Sequence, residues 1–180
     1  MLYITIPETT LWDDNAQIFI PVKRHVLQLE HSLISISKWE SQWLKPFLGK
    51  EEKTNQELLS YIKYMTITQN VPDEVYLCLT DANYKAINDY IEAPMTAKHF
   101  NNKRKGPLNQ ETITSEILYY WMIALNIPSQ YEKWHLNRLL ALIRVCNEKN
   151  EPPKKRSANE VLQQNADLNA ARKKALNTSG

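Results

Sequence analysis

The chain has 180 residues, of which 43% are hydrophobic and 23% are charged. This length and composition suit one domain with a hydrophobic core, and they exclude two full domains or a globally disordered chain. The 22 basic and 20 acidic residues leave a formal net charge of +2, which excludes both an acidic solvating protein and a histone-like polycation. Because the chain has three glycines, a glycine-rich phosphate loop is excluded, and helices are favoured over a β-sandwich.

Neither the cysteines nor the N-terminus indicates a secreted or membrane protein. Cys78 and Cys146 lie far apart in apolar runs, which predicts two buried small side chains rather than a disulfide or a zinc site. The first residues lack the basic region and the apolar core of a signal peptide. The longest apolar run, Ile117 to Leu125, has nine residues, whereas a membrane-spanning helix needs about 20. We therefore expect a soluble protein of a reducing compartment, with no membrane partner.

The N-terminus is predicted to form a small antiparallel β unit. Leu2 to Ile6 alternates in polarity and ends at Pro7, and Ile18 to Val22 is a second candidate strand. We expect these two strands to pair across the intervening loop, with Pro21 at an edge or a bulge. Val26 to Leu29 either extends the second strand or starts a helix.

The middle of the chain is predicted to be mainly helical. Apolar residues recur at three- and four-residue spacing from Ser35 to Leu48, and a capping box at Thr54 begins the next helix. Another helix follows Asp81. A long helix is expected from about Glu111 to Asn126, and its apolar run predicts burial on every side. After a short connection, a capping box at Ser129 begins a helix that should form an antiparallel hairpin with the long one.

The composition changes at Asn150, where we place a boundary. Residues 1–150 are predicted to form a mostly helical body that includes the N-terminal β unit. Residues 151–180 begin with a basic Pro-Pro linker, and a capping box at Ser157 opens a last helix that runs to about Leu176. This helix has a thin apolar stripe, so its stable order should depend on a partner or on the body. The predicted fold class is mainly α, with a small N-terminal antiparallel β unit and a C-terminal helical tail.

The sequence contains no catalytic or cofactor motif. Its four histidines show no HxxxH, HxH or HExxH spacing, so no metal site is predicted. No serine lies in a GxSxG elbow. No other sequence feature identifies a serine or cysteine nucleophile that would pair with a remote histidine. The acidic pair Asp13-Asp14 fits a solvated turn better than a cation site. We therefore expect a non-enzymatic protein with no cofactor.

The tryptophans, the apolar stripe of the tail and the clustered basic residues are candidates for contact with a partner. Tryptophans most often pack in a core, but an exposed one is a typical anchor for another protein. The candidate partner contacts are Trp12, Trp39, Trp43, Val161, Leu168 and Ala175. Two basic patches are further candidates, namely Lys103, Arg104 and Lys105, and Lys154, Lys155 and Arg156. Such charges suit nucleic-acid phosphates, yet few aromatic residues accompany them, so a solvated or protein-binding surface is favoured.

Several segments resemble a family of proteins encoded by tailed bacteriophages and prophages. They are Ser37-Lys38-Trp39-Glu40-Ser41 with Lys45-Pro46-Phe47-Leu48, Tyr119 to Pro128, Lys133 to Leu140, Leu168 to Arg172, and Asn177 to Gly180. The resemblance covers most of the chain, body and tail together. These motifs are aromatic and helical rather than catalytic, so the resemblance implies no active-site residues. It implies a tail assembly chaperone or a nearby structural protein of the tail module.

The resemblance leaves two roles open, and the basic patches add a third. A tail assembly chaperone would coat the helical tape-measure protein and recruit tail-tube subunits in the host bacterial cytoplasm. A structural protein of the virion, such as a tail or head–tail connector component, would be held permanently in a ring. In either role the β unit offers an unpaired edge through which copies of the chain can join as a homo-oligomer. A nucleic-acid-binding protein would use the basic patches. Of these three hypotheses, we favour the chaperone.

Overall fold

The computed structural model describes residues 1–13, 17–98, 100, 112–150 and 158–176. The described residues form four strands, seven α-helices and one 3-10 helix. The chain divides into two compact units, residues 1–147 and residues 148–180. The predicted fold class, mainly α with a small antiparallel β unit at the N-terminus, is confirmed.

The four strands belong to one long hairpin. β1 (Leu2–Ile6) pairs with β4 (His25–Leu29), and β2 (Thr9–Asp13) pairs with β3 (Ile18–Val22), all antiparallel. Leu2 faces Leu29 and Asp13 faces Ile18 with no residue inserted on either side, so both pairs share one register. We call this hairpin the N-terminal ribbon, with β1 and β4 as its base and β2 and β3 as its tip.

The predicted pairing of β1 with β3 is therefore wrong, and Val26 to Leu29 belongs to a strand. The segment treated as a loop after Pro7 contains β2, which pairs with β3, and four residues separate the two strands in sequence. A short connection costs less closure entropy than a long one. Alternation in a sequence identifies a strand, but it does not identify the partner strand.

The central helix of the first unit is α1 (Leu33–Trp43), which packs against α2 (Asn55–Met65) and α5 (Ser115–Ala124). α1 begins two residues before the predicted start. It ends before the predicted Leu48, because Leu44 takes a left-handed backbone conformation with φ of 54°. The predicted capping box at Thr54 is confirmed, since the Thr54 amide donates to Glu57 Oε2 at 2.8 Å and the Glu57 amide donates to Thr54 Oγ1 at 3.3 Å.

Two shorter helices follow α2. α3 (Asp73–Leu77) begins directly after Pro72, and α4 (Asp81–Glu92) packs against β1. The N-cap of α4 is Thr80 rather than Asp81, because the Thr80 hydroxyl oxygen accepts the Asn83 amide at 3.2 Å.

The last helices differ from the prediction in detail. α5 begins at Ser115 with Thr114 as its N-cap, so the predicted start near Glu111 is wrong. Its main helix packing is with α1, whereas the predicted hairpin required packing against the helix that follows it. The predicted capping box at Ser129 is wrong. Ser129–Lys133 is a 3-10 helix without a side-chain cap, and α6 (Leu136–Asn150) begins after it. In the second unit α7 (Ala158–Leu176) is the described helix, and the predicted cap Ser157 lies outside the described residues.

The core of the first unit combines the ribbon base with the inner faces of the helices. Apolar side chains from β1, β4, α1, α5 and α6 have no exposed surface, and these are Ile6, Leu27, Leu29, Leu33, Ile36, Trp39, Leu118 and Leu139. The core therefore fixes the ribbon base and α5, the two elements next to the candidate surfaces.

Candidate functional site

The N-terminal end of α5 is held by a buried carboxylate of α1. Glu40 is 7% exposed, and its Oε2 accepts the Ser115 amide at 2.7 Å while its Oε1 accepts the Phe47 amide at 2.7 Å. A negative charge is favourable at this end of a helix, where the first amides have no intrahelical partner. Glu40 thereby helps to fix the orientation of α5 on α1.

α5 is apolar on two faces, but only one of them is buried. Leu118 and Met122 are at most 2% exposed, whereas Tyr120 is 67% exposed and Ile123 is 76% exposed. The predicted burial on every side is wrong, because packing against α1 covers one side of a helix and leaves the other to solvent. Tyr120 and Ile123 are three residues apart, so they are neighbours on the helix surface. We call this pair the α5 outer face; sequence reasoning missed it as a candidate site.

Trp39 and Trp43 lie on the same helix and differ in exposure. Trp39 is fully buried, and its indole Nε1 donates to the Glu57 carbonyl at 2.9 Å. Trp39 is therefore a core residue, and its prediction as a partner contact is wrong. Helical spacing places Trp39 and Trp43 on one face of α1, but it does not show which of them α2 covers. Trp43 is half-buried and donates through Nε1 to Ser60 Oγ at 2.8 Å. It lines a hollow of about 330 Å³ beside α1.

Trp12 lies at the tip of the ribbon and is 47% exposed. Its ring centroid is 4.8 Å from that of Phe19, the residue it faces on the neighbouring strand. Phe19 is 67% exposed, and the adjacent Ile18 is 54% exposed. Sequence reasoning identified Trp12 and missed the other two, because cross-strand neighbours depend on a register that the sequence left open. The role of Trp12 as a partner anchor stays a prediction.

The tail candidates lie on α7. Every side chain that the structure describes there is exposed, including Leu168 and Ala175. Leu162 and Leu176 add two exposed apolar side chains that the sequence analysis did not name. The side chain of Val161 lies outside the described residues, and so do both basic patches, residues 103–105 and 154–156. The roles of these residues stay predictions.

A buried polar network lies where β4 leads into α1. Glu30 Oε1 accepts the Tyr90 hydroxyl at 2.7 Å, and Glu30 Oε2 lies 3.1 Å from the Met1 amino nitrogen. Next to it, His31 Nδ1 and the Tyr61 hydroxyl form a hydrogen bond. The network therefore connects the ribbon base to α2 and α4.

A second histidine completes this network. The ring centroids of His135 and His31 are 5.1 Å apart. His135 Nε2 donates to the Tyr90 carbonyl at 3.0 Å, and its Nδ1 accepts the Asn137 amide at 3.2 Å. One donating and one accepting nitrogen define a neutral imidazole. Burial lowers the pKa of His135, and burial together with the neighbouring His135 lowers the pKa of His31 from 6.5 to about 3.

The network has the properties of a structural connection. Burial raises the pKa of Tyr61, so its hydroxyl stays protonated beside the neutral His31. Throughout the part of the chain that the structure describes, no buried side-chain nitrogen or oxygen lacks a hydrogen-bond partner. A buried network in which every polar group is hydrogen-bonded favours a single arrangement of the helices and strands around it. Sequence reasoning missed it, since His31 and His135 are distant in sequence and share no motif.

Within the described ranges, no group of three or more histidine, cysteine, aspartate or glutamate side chains is placed to hold a metal ion. Among the described helices, none combines the length and the apolar character needed to cross a membrane. Comparisons of the chain with protein-family models, with curated proteins and with solved structures found no match.

Proposed function

We propose that the chain is a non-enzymatic morphogenesis protein of tailed bacteriophages and acts as a tail assembly chaperone. In this role it binds the tape-measure protein and recruits tail-tube subunits in the host bacterial cytoplasm. The observation that carries the proposal is the α5 outer face, where Tyr120 and Ile123 are both more than 60% exposed. The phage origin rests on the sequence resemblance.

The α5 outer face suits a helical partner. An amphipathic helix that packs on α5 would cover Tyr120 and Ile123, and each square ångström of apolar surface removed from water contributes about 25 cal/mol. Tyrosine is frequent among residues that dominate binding energy, because its ring packs while its hydroxyl stays hydrogen-bonded. Glu40 supports this face from behind by holding the start of α5 through the Ser115 amide.

The exposed helix α7 supplies a second surface for the same partner. A helix in a protein gains most of its stability from packing of an apolar face, and Leu162, Leu168 and Leu176 are between 48% and 72% exposed. Contact with a helical protein would bury these leucines and stabilise α7. We therefore expect the tape-measure protein to contact both α5 and α7.

A second candidate is a structural protein of the virion, a tail or head–tail connector component. In the described residues β2 and β3 pair as strands only with each other, whereas the outer edge of β4 is partly covered, because Gln28 exchanges hydrogen bonds with Ile67 and Thr68. The edges at the ribbon tip are therefore the ones without a strand partner. Unpaired edges permit strand addition between identical copies in a ring. This observation favours a permanent position in the particle.

Mass spectrometry of purified mature particles separates the two candidates. The abundance of the chain is scaled to that of a tail-tube subunit. Absence from particles, together with tail-less heads when the gene is deleted, supports the chaperone. A fixed stoichiometric count in particles refutes it and supports the structural component.

Co-expression with the tape-measure protein tests the surface itself. The double variant Tyr120→Asp/Ile123→Asp should reduce co-purified tape-measure protein at least tenfold, about the effect of losing 1.4 kcal/mol of binding energy. Leu77→Asp is the matched control, because Leu77 is 59% exposed on α3. Equal co-purification by wild type and the double variant, with both folded by circular dichroism, rejects the α5 outer face as the contact.

A further inference from the structure

The helix α7 repeats apolar residues at an interval of seven. Val161, Leu168 and Ala175 have this spacing, and all three lie within the 19 residues of α7. A seven-residue interval is the spacing of the a position in a coiled coil, where two helices wind around each other. We propose that α7 of one copy of this chain pairs with α7 of a second copy as a parallel two-stranded coiled coil. This inference does not rest on the proposed function.

The contact surface of this pair is a narrow line of side chains along α7. With Leu168 at an a position, the d positions fall three residues after each a position. We call the resulting set the α7 seam, which consists of Val161, Gln164, Leu168, Ala171 and Ala175. A seam confined to a and d positions is narrower than the apolar face of a helix in a globular core. It therefore suits contact with one other helix.

Nothing on α7 itself covers the seam. Every side chain that the structure describes there, at residues 162–176, is exposed, and Leu168 is 48% exposed. A helix in a protein gains most of its stability from the packing of an apolar face. A second helix on the seam would supply that packing.

The charged residues beside the seam identify the second helix as another copy of α7. Asp167 precedes Leu168 and occupies a g position, and Arg172 occupies the next e position, five residues along the chain. In a parallel coiled coil the g and e positions flank the seam and form ion pairs between the helices. Asp167 of one copy would pair with Arg172 of the second copy, and symmetry would repeat the pair on the other side.

Both charges are available for this pairing. Side chains three or four residues apart are neighbours on a helix, so these are the spacings at which an ion pair within α7 would form. The residues at these spacings from Asp167 and Arg172 are all uncharged, namely Gln163, Gln164, Ala170 and Ala171, and Leu168, Asn169, Ala175 and Leu176. Among the described residues, the ion pairs include neither Asp167 nor Arg172.

The composition of the seam predicts weak association in a fixed register. Gln164 and Ala171 occupy its d positions, so the apolar contact is small. A polar residue in a seam fixes the register of the two helices at a cost in stability. Leu162 and Leu176 lie outside the seam, and pairing of two α7 helices would leave them accessible to another protein.

Analytical ultracentrifugation of the full chain tests the seam. Wild type should self-associate as its concentration rises, and Leu168→Asp should raise the dissociation constant at least tenfold. Leu162→Asp is the matched control, because it makes the same change at a 66% exposed leucine of the same helix outside the seam. A monomeric wild type at every accessible concentration, or equal weakening by the two variants, refutes the proposal.

A charge exchange tests the second copy as the occupant. Asp167→Arg alone and Arg172→Asp alone should each weaken self-association, because each places like charges side by side across the seam. A mixture of the two variants should associate more tightly than either by itself, since every pair across the seam is then of opposite charge. A mixture that associates no better than its components overturns the pairing. Circular dichroism establishes that each variant remains helical.

Disulfide formation tests the parallel arrangement. In the background Cys78→Ser/Cys146→Ser, one new thiol is added either by Ala175→Cys, in the seam, or by Ala166→Cys, on the opposite side of the helix. A parallel pair brings the two Cys thiols of the Ala175→Cys variant together, so this variant should form disulfide-linked dimers at least tenfold faster. Equal rates for the two variants overturn the parallel coiled coil.

Discussion

The base and the tip of the N-terminal ribbon share one strand register but have opposite surroundings. At the base, Ile4 and Leu27 face each other and are at most 4% exposed. At the tip, Trp12 and Phe19 face each other and are 47% and 67% exposed. The same local structure thus supports the core at one end and presents aromatic side chains to solvent at the other.

The buried side of the ribbon changes along its length. Successive residues of a strand alternate between its faces, so Ile4 and Trp12 belong to the same side of a ribbon with one register. Ile4 is buried and Trp12 is exposed, whereas Val22, on the opposite side, is 5% exposed. The strong twist of a two-stranded ribbon allows this change. The aromatic tip is therefore the continuation of a core-forming face beyond the core.

The largest expected effect is at the base. Leu27→Ala should lower the free energy of unfolding by about 2 to 5 kcal/mol, because it leaves a cavity beneath a fully buried side chain. Denaturant unfolding of the full chain measures the change. Val26→Ala is the matched control, since the neighbouring Val26 is 49% exposed. A loss below 1 kcal/mol for Leu27→Ala would remove the distinction between base and tip.

Low pH should destabilise the ribbon base through the buried polar network that follows β4. His31 has a pKa of about 3 when folded and 6.5 when unfolded, so the unfolded state binds more protons between these values. Stability is therefore complete above pH 6.5 and falls as the pH drops toward 3, by about 2 to 3 kcal/mol at pH 4.5. Urea unfolding from pH 7.5 to pH 4.5 measures this loss.

The variant His31→Gln identifies the source of the acid effect. Gln has no titratable group, so the fall in stability between pH 7.5 and pH 4.5 should shrink by the contribution of His31. The groups that face His31, namely Tyr61 and His135, and the Glu30, Tyr90 and Met1 amine beyond them, are unchanged. Parallel pH profiles for wild type and variant would contradict the assignment to His31.

Local signals in the sequence predicted the elements of the fold well. The alternation that ends at Pro7 predicts β1, and the Thr54 capping box predicts the start of α2, because each depends on neighbouring residues alone. The pairing of β1 with β4 was not predictable in this way. It depends on burial of Leu27 against residues that are distant in sequence, which no local pattern contains.

The candidate surfaces were harder to predict for the same reason. Trp39 and Trp43 are equivalent by helical spacing, and the position of α2 alone decides that Trp39 is core while Trp43 stays half exposed. Tyr120 and Ile123 look like core residues in an apolar run, yet α1 covers only the opposite face. Which of these residues are exposed depends on how much of each helix its neighbouring helix covers, and this coverage is a property of the tertiary structure.

A smaller effect is expected at Val22, a tip residue with a buried side chain. Val22 lines a cavity of about 370 Å³ together with Pro72 and Val75. Val22→Ala should cost about 1 to 2 kcal/mol, because roughly two methylene equivalents lose their burial. Denaturant unfolding compares it with Pro21→Ala, a change at an exposed neighbour. Equal losses for Val22→Ala and Leu27→Ala would place the tip within the core.

The smallest effect on stability is expected at Phe19, an exposed aromatic residue of the ribbon tip. Phe19→Ser should lower the free energy of unfolding by only about 0.2 to 1 kcal/mol, because it removes the cross-strand ring contact with Trp12 while the side chain is already 67% exposed. Denaturant unfolding of the full chain measures this value. A loss above about 2 kcal/mol would mean that the tip is packed within its own chain. The ribbon would then stabilise its own chain along its whole length, and the aromatic pair would not be available to a partner.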